Sequence, residues 1–181
     1  MTARRLFLFA FAGALFVGVG CSNDPAPTGP GLFCSDGGSA PSNVVNTSCG
    51  ALLDTQTEFV DIVMGGPGAG TTTLRGINVD VTHDPTKLTF LPSATYTSPT
   101  FPSALIAVSS TGAGRVIVSV QQPGNLPAVA VGPGQNVLLS LSFRRVASAT
   151  FPPSPISFEN TEATSPSVPI TFTSATAIAY Q

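Results

Sequence analysis

Charged side chains are scarce in this sequence. Asp, Glu, Lys and Arg make up only 9% of the 181 residues, against about 25% in an average soluble protein. Long solvated helices and coiled coils carry Glu, Lys and Arg on their wet faces, so this composition argues against both. The 7 basic and 9 acidic residues give a net charge of −2. Since there is no basic patch either, we expect no nucleic-acid partner.

The chain also lacks tryptophan, and it has two tyrosines, Tyr96 and Tyr180, and one histidine, His83. Few planar rings are therefore available to stack on sugars, which disfavours direct carbohydrate binding.

The single histidine, His83, precedes Asp84, which we interpret as the first residue of a turn rather than as part of a catalytic set. We therefore expect that the protein is not an enzyme and that it binds no cofactor. Calcium is the alternative, since Asp80 and Asp84 could supply two of the 6–8 oxygens that it takes.

The first twenty residues have the pattern of a secretory signal. Arg4 and Arg5 supply a positive start, and residues 6–20 form an uncharged apolar run. That run is shorter than the roughly 20 residues that a membrane-spanning helix needs. It fits the central region of a signal peptide, which would be removed from the mature protein.

Cys21 follows this run directly, after Val17-Gly18-Val19-Gly20. The arrangement resembles the bacterial lipoprotein box, in which the cysteine is acylated and becomes the mature N-terminus. The resemblance implies a secreted protein anchored to the bacterial cell envelope by lipid. Ser22 stands where an Asp commonly signals inner-membrane retention, which favours the outer membrane. An ordinary signal peptide cut nearby, with an incidental Cys21, is the alternative.

The sequence divides into three parts at changes of composition. Residues 1–20 are the predicted signal peptide, and residues 21–50 are a lipidated tether rich in Pro, Gly and Ser without hydrophobic period. Cys34 and Cys49 lie within the tether, and an oxidising compartment makes them a candidate disulfide, with two free thiols as the alternative. Residues 51–181 form the predicted folded domain.

Short runs that alternate between apolar and polar side chains fill this last part. Period two with many β-branched residues predicts strands, and Gly- and Pro-rich breaks between the runs predict turns. About nine strands are expected between Thr57 and Tyr180. No stretch repeats with the 3.6-residue period of a helix, so the fold class is all-β, an antiparallel sandwich.

Three stretches resemble the cohesin family. Residues 76–90, GINVDVTHDPTKLTF, are similar to its strand that runs into an Asp-Pro turn. Residues 136–144 resemble its penultimate long strand, and residues 155–160 with 170–180 resemble its final pair. The resemblance implies a nine-stranded jelly-roll sandwich, shared with carbohydrate-binding modules of families 2 and 3. It also implies non-catalytic recognition of dockerins, the calcium-loaded helical modules of polysaccharide-degrading enzymes.

If the resemblance holds, one sheet face presents polar side chains to a partner. Asn78, Asp80 and Thr82 point outward on one strand, and Ser119 and Gln121 on another. We favour protein–protein recognition there, by a dockerin-like or another envelope partner, with a link to polysaccharide breakdown. A carbohydrate-binding module and a structural envelope lipoprotein with a plain solvated face are the alternatives.

Overall fold

The computed structural model describes residues 30–68, 70–146 and 150–181. The predicted signal peptide, the lipidation site Cys21 and the first part of the tether lie outside these residues. Within the described ranges there are thirteen strands. They are β1 (Leu32–Ser35), β2 (Val44–Asp54), β3 (Thr57–Gly65), β4 (Thr72–Leu74), β5 (Gly76–Thr82), β6 (Leu88–Leu91), β7 (Leu105–Ser110), β8 (Arg115–Gln121), β9 (Val129–Val131), β10 (Gln135–Arg145), β11 (Phe151–Thr164), β12 (Thr171–Phe172) and β13 (Thr176–Tyr180).

Two large sheets make up the molecule. One has six strands in the order β1-β13-β11-β5-β8-β7, and the other has five in the order β12-β2-β3-β10-β6. Neighbouring strands are antiparallel, except that β12 runs parallel to β2. The short strands β4 and β9 form a separate pair. The predicted all-β jelly-roll sandwich is confirmed.

The core lies between the two large sheets and follows from the alternation of side chains along each strand. In β5, Ile77, Val79 and Val81 are at most 1% exposed, whereas the residues between them face the other way. In β8, Val116, Val118 and Val120 are buried in the same manner. Each inward side chain of a strand packs against the inner face of the opposite sheet, which is how a sandwich buries its apolar area. In the described part of the chain, no helix is long and apolar enough to cross a membrane.

The folded domain begins earlier than the composition indicates. β1 pairs with β13, and β2 pairs with β3, so the predicted tether belongs to the sandwich from about residue 31 onward. Leu32 is 2% exposed and Val45 is fully buried. The predicted boundary at residue 51 is therefore wrong. Proline, glycine and serine around β1 and β2 give this segment the composition of a linker. The partner of β1, the strand β13, is also distant in the sequence.

A disulfide joins β1 to β2 within this early segment. The bond links Cys34 and Cys49, whose Cα atoms are 5.7 Å apart. Asp36 supports the same corner, since its carboxylate accepts hydrogen bonds from the Ser48 hydroxyl at 3.0 Å and the Cys49 amide at 3.2 Å. The bond connects the two sheets, because β1 is in the six-stranded sheet and β2 in the five-stranded one.

The strand number also differs from the expected nine. Eleven of the thirteen strands, β3 to β13, lie between Thr57 and Tyr180. The additional ones include β4 and β9 with three residues each and β12 with two. Runs this short contain too few side chains to show a period of two, so they cannot be recognised from alternation.

Candidate functional site

The five polar residues that the resemblance places on an outward face lie on the outer side of the six-stranded sheet. Asn78 lies opposite Ser119, and Gln121 lies opposite Gly76, in the pairing of β5 with β8. We call the outer side of β11, β5, β8 and β7 the candidate face. Antiparallel pairing puts directly opposed residues on the same face, which is why one strand predicts the orientation of the next.

Asn78 is the centre of a hydrogen-bond network on the candidate face. Its side-chain oxygen accepts hydrogen bonds from the Ser119 hydroxyl at 2.8 Å and from the Gln121 amide at 3.1 Å. Its own amide nitrogen donates to a Glu162 carboxylate oxygen at 3.1 Å. The Gln121 amide also donates to the Thr164 hydroxyl at 3.0 Å. This network spans three strands and holds the polar side chains in fixed positions before any partner binds.

Asp80 forms the second polar group of the candidate face. Its carboxylate makes an ion pair with the Arg115 guanidinium and accepts a hydrogen bond from the Asn160 amide at 2.6 Å. Burial acts to raise the pKa of Asp80, but the hydrogen bonds from Asn160 and Arg115 outweigh it and hold that pKa below its usual value. Asp80 is only 6% exposed, so it faces outward but is covered by its partners. Thr82, at the end of β5, lies opposite Arg115.

Arg115, Asn160 and Glu162 are contributors that the sequence analysis missed. The alternation that orients Ser119 and Gln121 continues along β8 through Ile117 to Arg115. The same period of two therefore predicts that Arg115 points outward. Asn160 could not be found in this way. It lies in an irregularity of β11 between Glu159 and Glu162, and it has a left-handed φ of 45°. Asn tolerates that conformation better than most residues, but the sequence does not mark the bulge.

The candidate face carries two exposed apolar side chains toward its edge, one on the edge strand β7 and one on β8. Leu105 on β7 lies opposite Gln121, and Ser109 lies opposite Ile117. Leu105 is 69% exposed and Ile117 is 41% exposed. Glu159 and Glu162 on β11 are also exposed. The face therefore combines two exposed apolar side chains with fixed polar groups and two carboxylates, a mixture that protein interfaces share.

A groove lies on the other side of the molecule, over the outer face of the five-stranded sheet. It has a volume of about 400 Å³. Tyr96 is held there because its phenol oxygen accepts a hydrogen bond from the Ser93 amide at 2.9 Å. No charged side chain lines the groove among the described residues; its lining consists of Phe59, Leu91, Pro92, Ser93, Thr95, Tyr96, Thr97, Pro99, Ser140 and Ser142.

His83 and Asp84 do not form a catalytic pair. The Asp84 carboxylate accepts hydrogen bonds from the Thr86 hydroxyl at 2.6 Å and the Thr86 amide at 2.9 Å, and it pairs with Lys87 at 3.0 Å. These contacts, first among them that of the Thr86 hydroxyl, lower the pKa of Asp84 to about 2. The His83 ring instead packs edge-on against Phe143, with the centroids 5.1 Å apart, and burial lowers the pKa of the imidazole. The interpretation of Asp84 as a turn residue agrees with these contacts.

The two aspartates considered for calcium are separate and each already has partners. Asp80 binds Arg115 and Asn160, and Asp84 binds Thr86 and Lys87. Across residues 30–68, 70–146 and 150–181, no group of three or more His, Cys, Asp and Glu side chains is placed to hold a metal ion. Calcium binding stays a prediction that the geometry of these two side chains does not support.

No protein-family model and no curated protein matches this chain. Solved structures do match it. One chain of a complex between CaCohA2 and a variant of CaDoc0917 is similar over 73% of this chain and 95% of that one, with 16% identity and a TM-score of 0.50. CaCohA2 from Clostridium acetobutylicum, solved in solution, has 18% identity, coverages of 74% and 87%, and a TM-score of 0.48.

A third match is the sixth cohesin of scaffoldin B from Acetivibrio cellulolyticus, solved in complex with a mutant of the Cel5 dockerin. It is 16% identical, covers 82% of this chain and 97% of that chain, and has a TM-score of 0.48. Likeness at such low identity concerns the fold rather than the activity. The match with a TM-score of 0.50, together with the order of strands in the two sheets, shows that this chain has a cohesin-like fold.

Proposed function

We propose that this protein is a non-catalytic recognition module, anchored to the bacterial cell envelope by lipid on Cys21, that binds a protein partner through the candidate face. The observation that carries the proposal is the composition of that face. Leu105 and Ile117 are exposed beside a prearranged polar network. Solvent-exposed apolar side chains give a partner apolar area to bury. Polar groups that are already fixed orient the partner without a further loss of side-chain entropy.

The chemistry of the face indicates which partner it fits. Glu159 and Glu162 are exposed on β11, at the opposite side of the face from the apolar edge strand. A complementary surface would carry an apolar patch for Leu105 and basic side chains for the two carboxylates. A helical module of the dockerin type can present both on neighbouring helix faces. The cohesin-like fold supports such a partner. A link to polysaccharide breakdown and a location at the outer membrane are further parts of the proposal.

Pull-down with the full-length, detergent-solubilised protein tests this proposal. Leu105→Glu should reduce the capture of the partner at least about tenfold, because it places a charge in an apolar contact. Leu53→Glu is the matched control, since Leu53 is a leucine of similar exposure, 61% against 69%, outside the candidate face. If both variants capture the partner as well as the unchanged protein does, the candidate face is not the binding surface.

The groove supports a second candidate function, the binding of a neutral glycan. Phe59 and Tyr96 supply two aromatic rings, and serine and threonine hydroxyls surround them. Aromatic faces bind the C–H faces of sugars, and an uncharged lining suits an uncharged ligand. Affinity electrophoresis in polysaccharide gels tests it. Tyr96→Ala should abolish retardation, whereas Tyr96→Phe, which keeps the ring, should retain it. Equal migration of all three proteins with and without polysaccharide would reject a glycan site in the groove.

A further inference from the structure

One end of the sandwich brings the start of the folded domain next to the β2–β3 hairpin. The Gly31 amide donates to the Gln181 carbonyl at 3.0 Å, and the Leu32 amide donates to the Thr55 carbonyl at 3.2 Å. The hairpin end is defined here as Gly31, the hairpin residues 52–56 and Val146. The Arg145 amide donates to the Gln56 carbonyl at 2.9 Å, so Val146 is held beside the same hairpin.

Exposed apolar side chains are concentrated at the hairpin end. Leu52 is 46% exposed, Leu53 61% and Val146 54%. They are three of the five large apolar side chains that are exposed in the part of the chain described. Single exposed apolar residues are ordinary on protein surfaces, but a group at one end of a molecule indicates a surface that it contacts.

The length of the remaining chain brings this end close to a membrane. The sandwich begins near residue 31, so only the nine residues 22–30 separate it from Cys21. Nine residues reach about 30 Å when fully extended and about 17 Å as a flexible coil. With lipid on Cys21, the hairpin end is the part of the domain nearest the bilayer, and its local concentration there is high.

The candidate face extends away from that end. Leu105 lies opposite Gln121, which lies opposite Gly76 at the start of β5. The hairpin end is near the other end of β5, because the Val146 amide donates to the carbonyl of Lys87 in the turn that follows this strand. Contact of the hairpin with lipid would therefore leave Leu105 in water and accessible.

Charge does not oppose a lipid contact at the hairpin end. The acidic groups nearby are Asp54, Asp84 and Glu58, which lies opposite Leu52 in the pairing of β2 with β3. The basic groups nearby are Lys87, Arg144 and Arg145. Asp84 pairs with Lys87 at 3.0 Å. The hydrogen bond from the Gln56 amide, with a smaller contribution from the charge of Arg144, lowers the pKa of Asp54. The Arg145 guanidinium lies 3.7 Å from the centroid of the Tyr180 ring. The three basic side chains thus match the three acidic ones in number, which limits repulsion from anionic headgroups.

We propose that the hairpin end docks on the lipid surface, with Leu52, Leu53 and Val146 in the interfacial layer, and so orients the candidate face away from the membrane. This inference rests on the proposed lipid anchor at Cys21. The contact need not bind vesicles by itself, because the anchor makes it intramolecular.

The absence of tryptophan makes a direct test available. Leu53→Trp and Leu105→Trp each place a single Trp in the full-length protein, at two leucines of similar exposure. Each lipidated protein is purified from a bacterial host and reconstituted in vesicles of phosphatidylethanolamine and phosphatidylglycerol, with or without brominated acyl chains. Brominated lipid should quench the emission of Leu53→Trp at least about twofold and leave that of Leu105→Trp unchanged. Thermal melts confirm that both variants fold.

The other outcomes separate this inference from the anchor. If the proteins float with the vesicles but Leu53→Trp is not quenched, the anchor stands and docking of the hairpin end is wrong. If Leu53→Trp and Leu105→Trp are quenched equally, the candidate face contacts lipid as much as the hairpin end does, and the proposed orientation is wrong. If neither protein floats, and Cys21→Ser changes nothing, the anchor proposal fails and this inference fails with it.

Discussion

Arg115 on β8 forms an ion pair with Asp80 on β5, and the same carboxylate accepts a hydrogen bond from Asn160 on β11. One buried carboxylate thus connects three neighbouring strands of the candidate face. Asp80→Asn should lower the free energy of unfolding at pH 7 by about 1 kcal/mol, because it removes a charge-assisted contact while Arg115 stays partly hydrated.

The pH dependence of this effect has a defined sign. The folded-state pKa of Asp80 lies below its usual value of 3.8, so the contribution of the ion pair is present above that value and is lost as the pH falls through the folded pKa. Urea denaturation at pH 7 and at pH 2.5 should therefore show a smaller difference between Asp80→Asn and the unchanged protein in acid. An equal difference at both pH values would contradict the assignment.

Glu58 predicts the opposite trend. Burial raises the pKa of this carboxyl from 4.5 to about 7. The folded protein therefore keeps a proton that the unfolded chain releases, and Glu58 reduces stability as the pH rises from 4.5 to 7. Glu58→Gln should be more stable than the unchanged protein by about 1 to 2 kcal/mol at pH 8, because the amide carries no charge that burial would disfavour.

The comparison of the two proteins at each pH isolates Glu58. His83 has a pKa that burial lowers, but it is present in both proteins and its effect cancels in the difference. Chemical denaturation from pH 4.5 to pH 8 measures that difference. A constant difference over this range would show that Glu58 ionises in the folded protein as it does in the unfolded chain.

The disulfide between Cys34 and Cys49 should contribute substantially to stability. It closes a loop with a sequence separation of 15, for which chain entropy predicts about 3 kcal/mol. We expect the double variant Cys34→Ser, Cys49→Ser to lose about this amount in urea denaturation under oxidising conditions. The unchanged protein in dithiothreitol is the control and should match the variant. If reduction leaves its stability unaltered, the two thiols are not bonded in solution.

Two truncations test where the domain begins. A chain of residues 30–181 retains β1 and β2 and should unfold cooperatively on heating. A chain of residues 51–181 loses β1 and most of β2, which exposes the paired edges of β13 and β3. It also removes the buried Leu32 and Val45 from the core, so we expect aggregation or no cooperative transition. Equal melting temperatures for the two chains would support the later boundary at residue 51.

Much of the candidate site could be predicted from alternation. Period two predicts that Asn78, Ser119 and Gln121 point away from the apolar side of their strands, and the resemblance to the cohesin family implies that they share one face. The pairing of β5 with β8 brings them within hydrogen-bond distance. Glu162 joins them from β11, across a separation of 84 residues along the chain. No local pattern marks such a contact, because it depends on which strands become neighbours and in which register.

The sequence by itself determined the class of structure and the side of each strand that is buried, because alternation and turn residues act locally. It also indicated the cysteine pair and a chain nearly free of catalytic groups. Only the tertiary structure decided that β1 and β2 belong to the domain and that Asp80 is covered by Arg115 and Asn160. It also decided that Leu53 and Leu105 lie at opposite ends of the sandwich. These features depend on hydrogen bonds and packing between segments distant in the chain, which are formed when the two sheets assemble.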